Sequence, residues 1–114
     1  MTGIRLAHEQ AAAVVTVRGE LDAFNAEELS SSFAEVRVDE AEPLVIDLSG
    51  VTFMDSTALG VVVRRVNEVV ERGGSARVVL PETSARRIFE ITTLDRVLPI
   101  AESRQDALLE LADP

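Results

Sequence analysis

Along this chain, apolar runs of two different periods alternate with short polar breaks. "AAAVVTVRG" is almost continuously apolar and stops at Gly19, which predicts a strand over about 12–18. The partly alternating "GIRLAHE" before it predicts a short edge strand. In "NAEELSSSFAEVRVDE" the apolar residues Ala26, Leu29, Phe33 and Val36 recur at helical spacing, which predicts a first helix over about 26–38. Asn25 followed by Glu28 has the look of its capped start. After Pro43, "LVIDL" has the unbroken apolar character of a parallel strand covered on both faces. Leu59, Val62, Val63, Val66, Val69 and Val70 then trace one helical stripe, despite their β-branched content, and Gly73 and Gly74 end it. "SARVVLP" predicts another strand and "SARRIFEI" a short third helix. "RVLPI" predicts a final strand confined to an edge by Pro99, and "SRQDALLELA" a closing helix with Ser103 and Asp106 spaced as a capping box. The order is that of a single α/β domain over 1–114: a mixed sheet of four or five strands with about four helices packed on it.

The polar break "FMDSTALG" stands out from this frame. With Asp55 as N-cap of the second helix, Met54 and Leu59 fall at the two positions of a hydrophobic staple. Ser56 and Thr57 become the first helical residues, beside unpaired N–H groups and the positive end of the helix dipole. They follow the C-terminal end of a parallel strand, where open α/β sheets place their sites. A phosphate on Ser56 is well placed there, since first-turn N–H groups accept an anion. An ordinary cap worth about 1 kcal/mol explains the same residues, and the residues alone leave both readings open. "GELDAFNAEEL" poses the same choice: turn and cap chemistry covers Gly19 and Asn25, while Asp22 has no evident local role. Asp47, inside a buried strand, requires partners and reads as a structural carboxylate.

Composition removes whole classes of chemistry. There is no Cys, which excludes disulfides, thiolate zinc sites and thiol catalysis. All eleven basic residues are Arg, so a phosphate-loop lysine and Schiff-base chemistry are absent. A single histidine, His8, rules out a histidine-rich metal site, and neither a metal nor a cofactor is expected. No nucleophile elbow occurs, and an enzyme is not expected. A net charge of −9, without Trp or Tyr, opposes direct nucleic-acid binding. No run approaches the roughly 18–20 apolar residues of a membrane span. "MTGIRLAHEQ" has neither a signal core nor a transit pattern, so a cytoplasmic protein is expected.

Taken together, "GELDAFNAEEL", "LVIDLSGVTFMDSTALGVVV" and "RRIFEITTLDRVLPI" resemble the STAS-domain anti-sigma-factor antagonists of bacteria, in order and over nearly the whole chain. The resemblance implies a partner-switching regulator of transcription, of the kind that serves stress responses. Its unphosphorylated form binds an anti-sigma factor that is also a serine kinase, and a sigma factor is released. The kinase phosphorylates the residue matching Ser56, and a metal-dependent serine phosphatase reverses the step. Asp22, Asn25, Asp55, Ser56, Thr57 and Ala58 are implied at the partner surface. Ala58 stands where the family motif has Gly, and its methyl is expected to obstruct close approach of a partner backbone while leaving the phosphoacceptor geometry intact. A STAS scaffold or transporter-associated module that is never phosphorylated is the alternative, and the intact "MDST" speaks against it.

Overall fold

The computed structural model describes residues 3–9, 11–35, 43–80, 87, 90 and 98–112. Strands β1 (Gly3–Glu9), β2 (Ala12–Leu21), β3 (Leu44–Met54), β4 (Ala76–Val79) and β5 (Ile100–Ala101) form one five-stranded sheet in that order. β1 and β2 are antiparallel, and every later pair is parallel. Helices α1 (Ala26–Glu35), α2 (Ser56–Glu71) and α3 (Arg104–Ala112) complete the described elements. The third helix expected in "SARRIFEI" lies outside the described residues, apart from Arg87 and Glu90, which are helical and exposed.

The sheet separates two apolar layers. On one face, Val15, Val17, Leu44 and Ile46 pack with Leu29 and Phe33 of α1 and Leu59, Val62 and Val66 of α2. On the other, Val14, Val45 and Val79 pack with Ala107 and Leu108 of α3. β3 is covered from both sides, which explains its unbroken apolar run.

Two strands outrun their sequence signals. Gly19 does not end β2: with φ +98 it sits in an irregular stretch that carries the strand on to Leu21. β3 likewise continues through "GVTFM", which the apolar pattern left as a loop. Register shifts against β2 break the alternation there, so a period-2 signal disappears while pairing persists. Gly50 is demanded by close approach, since a Cβ added there would lie 2.9 Å from Cβ of Arg18. β5 begins after Pro99, whose carbonyl accepts from Val78 N–H, and it occupies the edge as expected.

The helix ends follow local chemistry. At the C-terminus of α2, Gly73 takes φ +82, its N–H bonds Val70 O, and Gly74 N–H bonds Val69 O, the two bonds of a Schellman motif. Ser103 Oγ accepts from Asp106 N–H at 3.0 Å and starts α3.

Asp47, 3% exposed, finds its partners across the molecule. It accepts from Ser49 N–H at 2.9 Å and Ser49 Oγ at 2.6 Å. Arg104 Nε and Nη2 meet its other oxygen at 2.9 and 2.8 Å. The same guanidinium reaches Thr16 Oγ1 and Glu9, so one α3 side chain joins β1, β2 and β3. Burial pushes the Asp47 carboxyl up, but the Ser49 hydrogen bonds and Arg104 outweigh it, and the net direction is down. Asp47 is structural, as its place inside a buried strand led us to expect.

Candidate functional site at the carboxyl ends of β2 and β3

Leu21 and Met54 are paired at the ends of parallel strands β2 and β3, and Asp55 N–H donates to Leu21 O at 3.0 Å. Two turns therefore leave the sheet side by side. The first, Asp22–Asn25, is tightly closed. Asp22 Oδ1 accepts from the N–H groups of Phe24 (2.9 Å) and Asn25 (3.3 Å). Asn25 Oδ1 accepts from Asp22 N–H at 2.8 Å, and its Nδ2 donates to Glu20 O at 2.6 Å. Asp22 thus has a clear local role as an Asx turn, which the sequence did not reveal. The Asn25 carbonyl accepts from Leu29 N–H, and its side chain bonds backward into the turn as well.

The second turn is a single capping residue. Asp55 is extended, with φ −98 and ψ 177, and its Oδ1 accepts from Ala58 N–H at 3.0 Å. Its other oxygen crosses to the first turn and accepts from Ala23 N–H at 2.8 Å. One carboxylate therefore caps α2 and clamps the Asp22–Asn25 turn to it. Met54 and Leu59 are both buried beneath, where the staple places them.

Ser56 and Thr57 stand exposed on the first turn of α2. Among the described residues, nothing hydrogen-bonds the Ser56 hydroxyl, and no acceptor occupies the N–H of Ser56 or Thr57. The helix mouth thus holds a free alcohol beside two open donors. From Ser56 an open depression of about 510 Å³ follows α2 past Leu59, Gly60 and Val63 toward Asn67. Acidic side chains ring the corner: Asp22, Asp55, and Glu27 and Glu28 of the first turn of α1.

Ala58 departs from expectation. It is 0% exposed, and its methyl belongs to the core with Leu59, Val62 and Val66. It cannot meet a partner side-on and does not obstruct one; the reason is the helix phase, which turns the third position inward. Asp22, Asn25, Asp55, Ser56 and Thr57 do come together at one corner. One residue there escaped sequence reading: Phe24 projects from the first turn, 97% exposed. Its only sequence signal is an aromatic placed between two turn-forming residues.

Comparison with known proteins places these features in context. The family model described as "STAS domain" matches residues 4–107. An anti-sigma F factor antagonist of Paenibacillus polymyxa is 29% identical over 95% of this chain and 93% of its own. An anti-sigma-B factor antagonist of Listeria monocytogenes is 38% identical over 75% of each. Among solved structures, an anti-sigma factor antagonist from Mycobacterium paratuberculosis superposes with a TM-score of 0.88 at 29% identity, over 99% of this chain and 96% of that one.

Proposed function

The chain belongs to the STAS domain family, and from that premise we propose that it is an anti-sigma factor antagonist controlled by phosphorylation of Ser56. In its unmodified form it binds, through the corner of Asp22, Asn25, Asp55, Ser56 and Thr57, an anti-sigma factor that is also a serine kinase. That binding frees a sigma factor. The kinase then transfers the terminal phosphoryl group of ATP to Ser56 Oγ, ADP leaves, the hydroxyl proton passes to a base in the kinase, and the modified chain dissociates. A metal-dependent serine phosphatase restores the alcohol. The protein itself is a binding module rather than an enzyme. Among the described residues, no helix is long and apolar enough to cross a membrane.

The observation that carries this reading is the free Ser56 hydroxyl at an exposed helix mouth with two unfilled N–H donors. A phosphate there is tolerated by the chain, because those donors and the helix dipole face it. A docked partner tolerates it poorly, because the added charge enters an interface already containing Asp55. Disturbing a charged group in a closed interface costs about 2–5 kcal/mol, or roughly 30-fold to a few thousand-fold in affinity. Release therefore needs no refolding.

The test is incubation with the candidate kinase and ATP. We expect a mass gain of one phosphate that Ser56→Ala abolishes, together with lost kinase binding by the phosphorylated form. Modification that persists in Ser56→Ala, or equal affinity of both forms, would overturn the reading.

A further inference from the structure

Among the described residues, Phe24 is the most exposed large apolar side chain, at 97%. Its ring is left in water, so folding gains almost nothing from it. The backbone beneath it is nevertheless held firmly. Its own N–H is bonded to Asp22 Oδ1, that of Ala23 to Asp55 Oδ2, and the turn is closed by Asn25. A bare aromatic on a fixed backbone has already met much of the ordering cost that binding imposes on its loop. Aromatic residues of this kind, seated in a desolvated pocket, carry much of the energy of protein–protein contacts.

Position and charge say what such a ring would enter. The clamp from Ala23 runs to Asp55, the residue immediately before Ser56, so ring and hydroxyl share one corner. The surrounding carboxylates of Asp22, Asp55, Glu27 and Glu28 require a partner whose rim is rich in Arg or Lys. Another exposed apolar side chain among the described residues, Leu109, is 60% exposed and lies on α3, which packs on the opposite face of the sheet from α1 and α2.

We propose that Phe24 is the anchor of the partner interface, inserted into an apolar, Arg- or Lys-rimmed pocket of the anti-sigma factor. Asp55 acts as the positioning residue that holds the turn in register with Ser56. This inference rests on the antagonist reading above. A single docking event then covers the ring and the alcohol together, and a phosphate on Ser56 arrives at the rim of the pocket that Phe24 fills.

The experiment is calorimetric titration of the chain and its variants with an anti-sigma factor kinase from the same genome. Phe24→Ala is expected to weaken binding at least about 30-fold, with Phe24→Leu intermediate. Its melting temperature should stay at the wild-type value, because the ring packs on nothing. Leu109→Ala is the control and should change affinity by no more than about twofold. Wild-type affinity in Phe24→Ala overturns the anchor and leaves the antagonist reading standing. Failure of the wild-type chain to bind any such kinase overturns that reading, and the anchor with it.

Discussion

Ala58 shows how much one methyl group can mislead. Standing where the family motif has glycine, it invites a reading in terms of partner access, yet its side chain is wholly inside. The signal was available: Ala58 precedes Val62 by four and Val66 by eight, which continues the buried stripe of α2 back to its first turn. Ala58→Gly should therefore lower stability by roughly 1–2 kcal/mol, the sum of helix propensity and one buried methyl. It should leave partner affinity unchanged, which denaturant melts and binding measurements on the same variant will check. Asp55 was legible because a cap depends on its immediate neighbours. The roles of Asp22 and Phe24 were not, because an Asx turn and an outward ring depend on which way a short turn folds.

At the level of elements, each helix and strand that falls on the described residues overlaps an expected one, β5 only at Ile100, but strand lengths were not legible. β2 and β3 extend past Gly19 and Ser49 because ladder bonds continue where alternation fails. Those extensions matter, for they bring Leu21 and Met54 level and set the two turns side by side. The Asp55 clamp between the turns joins residues 32 apart in sequence, so no local pattern announces it. Replacing Asp55 by Ala removes both a helix cap and that clamp. The expected cost is about 1.5–2.5 kcal/mol, more than a cap alone, since each bond contributes on the order of 1 kcal/mol. Amide hydrogen exchange should quicken at both Ala58 and Ala23; acceleration at Ala58 alone would show that the clamp contributes nothing.

For the whole molecule, the Arg104–Asp47 contact ties the last helix to three strands. Asp47 was recognisable as a buried acid needing partners, whereas its principal cation lies 57 residues away and left no trace in the pattern. Its pKa is lower when folded, so the stabilisation is complete above the usual carboxylate value, about 4, and is lost as pH falls through the lower folded value. Acid unfolding curves should show this, and Asp47→Asn should flatten that part of the profile. Arg104→Ala should cost about 2–3 kcal/mol at neutral pH, below the full penalty for a broken buried pair because Arg104 is partly solvated and Ser49 still donates to Asp47.

The two margins of the sheet are unequal. β5 offers two residues to a newcomer, whereas β1 presents seven, studded with Arg5 and Glu9. Growth by strand addition would need a usable ladder on both sides. A second copy joining along β1 would instead consume the one long margin of each molecule and stop. Among the described residues, strand addition along β1 therefore closes as a pair rather than extending into a filament.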